Sequence, residues 1–295
     1  MSEQAEAAYR TITVKPRAHG FGAEVSGLDL SRPLGPEALA EVKAAWARHA
    51  VVSFPDQPLS LEALEAFTLQ IGPFGIDPYV EPMAGHPNVL EVRREPDEKV
   101  SIFGGGWHSD WSFQAQPPAA TLLRSEVIPP IGGDTLYCDG VRAYEALPVE
   151  TKAKIAPLRA IHTAAHAYGS KGVYAREREV DATKTRAMAI IVSETADETH
   201  VHPLVRTHPV TGRKALFCSP VYTHGIEGMS EDEGRGLLAG LFKHMHQDQF
   251  IYRHRWRPHM LLMWDNRCTT HYALGGYDGH RRVMHRTTVA GDMPV

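Results

Sequence analysis

In Trp107-His108-Ser109-Asp110-Trp111, an imidazole and a carboxylate stand two residues apart. In an extended strand that spacing turns both side chains to one face, where they can converge on a metal ion. A second pair, His246-Gln247-Asp248, sits at the end of a predicted helix. There residues two apart point roughly 200° away from each other, so the pair cannot easily share an ion. A His-x-Asp occurs by chance about once in a chain of this composition, so the first pair alone reads sooner as a hydrogen-bonded histidine near a core edge than as a ligand pair. The surroundings alter that balance. Gly104-Gly105-Gly106 precedes the pair, suggesting backbone that must approach something closely. Further on stand Gly132-Gly133-Asp134-Thr135, Trp264-Asp265-Asn266-Arg267-Cys268-Thr269-Thr270-His271, and Arg282 and Arg286 in Arg282-Val283-Met284-His285-Arg286.

Taken together these motifs resemble the taurine dioxygenase/2,4-D dioxygenase family of Fe(II)- and 2-oxoglutarate-dependent oxygenases. Gly22-Ala23-Glu24-Val25-Ser26-Gly27-Leu28-Asp29 and Val52-Ser53-Phe54-Pro55-Asp56-Gln57 agree as well, so the resemblance spans nearly the whole chain. It implies a double-stranded β-helix (a cupin-like jelly roll) and a homo-oligomer, dimer or tetramer. It also implies Fe(II) as cofactor, with 2-oxoglutarate and O2 as co-substrates. The implied metal ligands are His108, Asp110 and His271, a set that leaves three positions open. Arg282, helped by Thr135, is the implied partner of the remote 2-oxoglutarate carboxylate, a role to which a guanidinium fork is suited. Without the family match, Arg282 would read as a surface strand arginine.

Arg286 lies four residues beyond Arg282 on the same strand face. The resemblance makes it an anchor for an anionic substrate, or else a support for 2-oxoglutarate or the fold. Asp77 stands where taurine-oxidising members have a sulfonate-binding histidine, and Gly104 where they have an asparagine. A carboxylate there would repel a sulfonate, which argues against taurine. Trp111, Tyr79 and Phe113 are read as walls for an apolar body, with plain core packing the alternative. The implied activity is hydroxylation of a small anionic organic substrate (a sulfonate, sulfate ester or aryloxyalkanoate), which can lead to C–S or C–O cleavage. Two rivals are a non-enzymatic sensor of organic acids, which predicts a broken ligand set, and a structural metal-binding barrel, which predicts a fourth protein ligand.

The elements that must position these groups are short. Strands are predicted at Arg10–Val14, Ala23–Val25, Val51–Phe54, Asn88–Arg93, Ala119–Val127, Thr135–Cys138, Arg159–Thr163, Leu204–Thr207, Lys214–Ser219, Phe250–Trp256, Met260–Trp264 and Arg281–Ala290. Helices are predicted at Glu37–Trp46, from Ser60 to about Gln70, at Val141–Ala146, Val149–Ala156 and Ser230–Met245. Many short strands with few helices give a mainly β fold with flanking helices. Ala164–Thr199 has no clean period and is a candidate lid or insertion. No linker divides the chain, so one domain over 1–295 is expected.

Composition narrows the class. The 295 residues are 43% hydrophobic and 22% charged, ordinary for a globular chain. Net charge is −4 with both signs mixed, which builds no basic face for nucleic acid or a membrane. No apolar stretch is long enough to span a bilayer, and the acidic start Met1-Ser-Glu-Gln-Ala-Glu6 has no leader pattern. Three scattered cysteines, Cys138, Cys218 and Cys268, fit buried thiols in a reducing compartment, hence a cytoplasmic protein.

Overall fold

The computed structural model describes residues 9–180 and 186–295. The acidic start read above, and residues 181–185 of the candidate lid, lie outside the described residues. The first part of the chain forms β1 (Thr13–Pro16), β2 (Ala23–Ser26), α1 (Pro36–His49), β3 (Val51–Phe54), α2 (Leu61–Ile71) and β4 (Leu90–Arg94). Next come β5 (Ala120–Val127), β6 (Thr135–Asp139), α3 (Gly140–Glu145), α4 (Val149–Ile155), β7 (Arg159–Thr163), α5 (Ala165–Tyr168) and α6 (Val173–Val180). The remainder is β8 (Thr199–Pro203), β9 (Val205–Thr207), β10 (Lys214–Leu216), β11 (Thr223–Ile226), α7 (Glu231–Met245), β12 (Ile251–His254), β13 (Leu261–Asp265), β14 (Thr269–Ala273) and β15 (Arg282–Val289).

The largest sheet runs β1-β2-β3-β13-β5-β15-β4. Its strands alternate cleanly. Val52, Phe54, Leu122, Leu261 and Met263 pack outward against Val42, Trp46, Leu64 and Phe67 of α1 and α2. Val51, Leu123, Leu262, Trp264 and Met284 face inward with Tyr137. A three-stranded sheet, β12-β6-β14, supplies that Tyr137, while the next residue, Cys138, points the other way onto Leu238, Leu241 and Met245 of α7. Two sheets therefore face each other, each backed by helices, and period-two alternation decides which side chains reach the space between them. Thr121, Thr135, Arg282, Arg286 and His271 share the inward phase of their strands.

Most predicted elements are present with ends moved by a few residues. Arg10–Val14 is displaced to Thr13–Pro16, because the Glu41 carboxylate takes the backbone N–H groups of Arg10, Thr11 and Ile12 and holds them out of the ladder. Lys214–Ser219 and Phe250–Trp256 contract to three and four residues. The segment read as aperiodic holds α5 and α6, and Glu177 binds Arg186 at 2.8 Å and the Ser101 backbone at 3.0 Å. All three cysteines are buried and free. Among the described residues no helix is long and apolar enough to cross a membrane.

Candidate active site

His108 and His271 meet through a two-way backbone bridge. The N–H of His108 donates to the His271 carbonyl at 3.0 Å, and the reverse bond is 2.7 Å. This docks the glycine-rich segment onto β14 and sets the two rings 4.1 Å apart. Asp110 joins them: its Oδ1 lies 3.6 Å from His108 Nε2 and 3.8 Å from His271 Nε2. All three residues are buried, and among the described residues no fourth histidine, cysteine or acid joins the group.

The protonation states suit a cation. His108 Nδ1 faces the Gly106 carbonyl at 2.7 Å, an acceptor only, so the proton sits there and Nε2 keeps its lone pair. Burial, together with neighbouring His108, holds the His271 imidazole well below the usual range and hence neutral. Burial alone would raise the Asp110 carboxyl, but Arg286 and the two imidazoles outweigh it and keep it well below the ordinary carboxylate range. Asp110 is also oriented. Its Oδ2 accepts from Thr121 Oγ1 at 2.6 Å, and Thr121 accepts from Asn266 Nδ2 at 2.9 Å. Asn266 is held by the Trp264 indole at 3.0 Å. Oδ1 faces the imidazoles and lies 3.2 Å from Arg286 Nη1.

A second cluster, His208, Asp265 and Cys268, has similar residue types but a different state. His208 Nδ1 accepts from the N–H groups of Val210 and Thr211, so Nε2 carries the proton and donates it to Asp265 at 3.0 Å. Arg267 takes the same carboxylate through two side-chain bonds of 2.8 and 2.6 Å. His208 and Asp265 have no lone pair left for a metal, and the cluster is an internal brace of the β13–β14 turn. His246 stacks on Trp107 at 4.3 Å, and with Asp248 it joins no metal-capable group of three among the described residues.

On the inner side of β6, Thr135 and Tyr137 lie opposite Ala273 and His271 of β14. Arg282 is buried between Trp256 and Tyr277, with Nη2 3.4 Å from the Gly133 carbonyl and Nε without a partner. Gly132 lets the turn before β6 pass close to Gly276: its φ is +67°, and a Cβ would come 2.4 Å from the Gly276 carbonyl oxygen. Thr135 Oγ1 accepts from the Trp256 indole at 3.0 Å, so its own hydrogen remains available. The Tyr137 hydroxyl is buried and unpartnered.

A cavity of about 390 Å³ opens onto His108 and Asp110. Of the residues singled out for substrate, Gly104, Trp111 and Arg286 line it, whereas Asp77, Tyr79 and Phe113 do not. Tyr79 stacks on Tyr168 at 4.9 Å, and Phe113 packs on Tyr222 at 4.9 Å, so both form a layer behind the wall. The Asp77 carboxylate is turned onto Trp111, Arg286 and Thr288. The wall itself includes Tyr168, Tyr174 and Tyr222, which the sequence reading did not single out. Their only signal was aromatic side chains in and beside the segment lacking a period. Thr121 was likewise missed, although a hydroxyl on the inward phase of an apolar strand was visible.

A family model described as "Taurine catabolism dioxygenase TauD, TfdA family" matches residues 13–288. The chain is 34% identical to an alpha-ketoglutarate-dependent 2,4-dichlorophenoxyacetate dioxygenase of Cupriavidus pinatubonensis, covering 97% of this chain and 100% of the relative. It is 31% identical to an alpha-ketoglutarate-dependent sulfate ester dioxygenase of Pseudomonas putida, over 96% and 91%. The solved structure of a taurine dioxygenase from Burkholderia xenovorans superposes with a TM-score of 0.79 at 32% identity, over 97% and 93% of the two chains. The matched span takes in both facing sheets, and the chain belongs to this family of 2-oxoglutarate (α-ketoglutarate)-dependent dioxygenases.

Proposed function

We propose that His108, Asp110 and His271 hold Fe(II), that 2-oxoglutarate extends from there toward Arg282, and that the aromatic cavity takes the substrate. The observation that carries this reading is a buried His-Asp-His set with no fourth protein ligand among the described residues, at the end of a cavity. An open set opposes a closed structural site, and an intact one opposes a sensor on a broken site. The donors fit the co-substrate too: Arg282 Nε and the Tyr137 hydroxyl are buried without partners, and Thr135 has a hydrogen to give.

When bound, the iron supplies oxidation by O2, coupled to decarboxylation of 2-oxoglutarate to succinate. The chain's residues do the rest. Thr121 and Gly106 fix the orientation of Asp110 and His108, Arg282 grips the remote carboxylate, and the tyrosine wall excludes water. The relatives' names point to a small organic acid with an apolar body: a sulfonate, sulfate ester or aryloxyalkanoate. Hydroxylation at the carbon bearing sulfur or oxygen would then release that group. Arg286 is the one guanidinium on the cavity wall among the described residues. The two facing sheets support a double-stranded β-helix in one domain, with His166, Tyr168 and Tyr174 of the candidate lid contributing to the cavity wall. Free buried thiols support a cytoplasmic protein, and the family supports a homo-oligomer.

Anaerobic addition of Fe(II) and 2-oxoglutarate should produce a weak visible charge-transfer band, and oxygen should then yield succinate. His108→Ala, Asp110→Ala and His271→Ala should each lose both signals while remaining folded. Near-normal succinate formation by Asp110→Ala would overturn the assignment.

A further inference from the structure

Beside the metal triad, three donors converge on one carboxylate of the chain itself. Asp77 Oδ1 accepts from the Trp111 indole N–H and lies 3.4 Å from Arg286 Nη2, while Oδ2 accepts from Thr288 Oγ1 at 2.9 Å. On its other side Arg286 Nη1 is 3.2 Å from Asp110 Oδ1, and the guanidinium lies 5.0 Å from the Trp111 ring centroid. The Arg286 and Asp77 side chains are only 4% and 10% exposed. Gly75 brings this loop against β15: its N–H donates to the Thr288 carbonyl at 2.9 Å, and a Cβ there would come within 2.8 Å of the Thr288 hydroxyl. Trp111 has φ +47°, a region that bulky side chains avoid, so these contacts rather than local preference hold its indole.

A guanidinium, an indole N–H and a hydroxyl aimed at one point form a donor set suited to the carboxylate or sulfonate of a ligand. Here it is already filled. Arg286 has a carboxylate on each side, so its charge is offset before any ligand arrives. An incoming anion would meet the Asp77 charge in a poorly screened site and find both Nη groups of Arg286, the Trp111 indole and the Thr288 hydroxyl engaged, with Arg286 Nε left as the one unpartnered donor of this set. Displacing Asp77 would strand a buried charge. No other arginine and no lysine lines the cavity among the described residues, and much of its wall is aromatic.

We propose that Asp77 is a specificity-determining residue, an intrinsic anion occupying the Arg286 cradle. The chain therefore selects substrates whose end nearest the metal is uncharged and whose body is aromatic or apolar. An acidic group elsewhere on the substrate points away from Arg286. This rests on the dioxygenase reading of the same site.

The test compares phenoxyacetate with 2-phenoxyethanol, titrated anaerobically into protein holding Fe(II) and 2-oxoglutarate and followed by tryptophan fluorescence. The wild type should bind the alcohol at least tenfold more tightly. Asp77→Asn should bind phenoxyacetate at least tenfold more tightly than the wild type does, with less than a threefold change for the alcohol. Acetate should raise the melting temperature of Asp77→Ala and leave that of the wild type unchanged. A wild type that prefers phenoxyacetate, or shows no preference, overturns the proposal, and so does an Asp77→Asn protein weakened alike for both ligands. If the variants fail to fold, the wild-type comparison decides alone. Loss of 2-oxoglutarate binding by the wild type would count against the dioxygenase reading, whereas intact binding with an anion preference overturns only the role of Asp77.

Discussion

Asp110 presents one oxygen to the two imidazoles because Thr121 holds the other. Thr121→Val keeps the shape of the side chain and removes a hydrogen bond to a charged acceptor, a loss of about 1.5–3 kcal/mol. Orienting contacts of this kind typically change metal affinity about 10–100-fold. Anaerobic titration with Mn(II) or Fe(II) should show a weakening in that range, and unchanged affinity would mean that Asp110 is oriented by other means. At the co-substrate end, Arg282 is buried with Nε free, so a carboxylate there has a charged partner in a dry setting. Arg282→Gln should weaken 2-oxoglutarate binding by about 2–5 kcal/mol, and Thr135→Val by about 1 kcal/mol. An unchanged Kd for Arg282→Gln would contradict the placement.

The turn that carries the chain from β13 in one sheet to β14, with His271, in the other is held by a buried ion pair. Asp265 receives Arg267 and His208 on its carboxylate, and its backbone carbonyl accepts from Thr269 Oγ1 at 2.7 Å. Asp265→Asn leaves the Arg267 charge buried without a counter-charge, which costs about 3–5 kcal/mol. Urea unfolding should show that loss, and metal affinity should fall with it because the turn sets the position of β14. A stable variant that binds metal normally would separate the brace from the site. This sheet-to-sheet connection also marks where the sequence stopped being legible. Helices α1, α2 and α7 announce themselves through the 3.6-residue period, with Ser60 and Ser230 as caps. The strands β8, β11 and β14 were not foreseen, because Thr-His-Val-His-Pro, Thr-His-Gly-Ile and Thr-Thr-His-Tyr-Ala carry no alternation. They are strands because distant partners, β7 for the first two and β6 for the third, offer free edges. The candidate metal ligands were readable since they sit in motifs. The Asp77 contacts were not, since they join residues far apart in sequence through the close approach at Gly75.

Burial holds several histidines across the molecule without charge, and this links whole-molecule stability to pH. Burial lowers His254 to about 3 and His202 and His246 to about 4, from a usual value near 6.5. His254 Nε2 has no partner, and its Nδ1 faces the Tyr252 hydroxyl at 2.9 Å. Because each folded value lies below the unfolded one, the unfolded chain takes up protons first as pH falls. The stability from keeping these rings neutral is full above about pH 6.5 and is lost progressively toward pH 4 and below. A fully buried ring such as His254 contributes up to about 1.4 kcal/mol per pH unit in that interval. Asp265 behaves oppositely in origin: Arg267 and His208 outweigh burial and lower its carboxyl to about 2, so its contribution persists until pH falls below about 4. It therefore does not offset the histidines between pH 7 and 5. The urea midpoint should fall steadily across that interval, and His254→Gln should show a shallower fall than the wild type. A midpoint independent of pH from 7 to 5 would mean that these rings find proton acceptors in the folded protein, which contradicts the unpartnered Nε2 of His254.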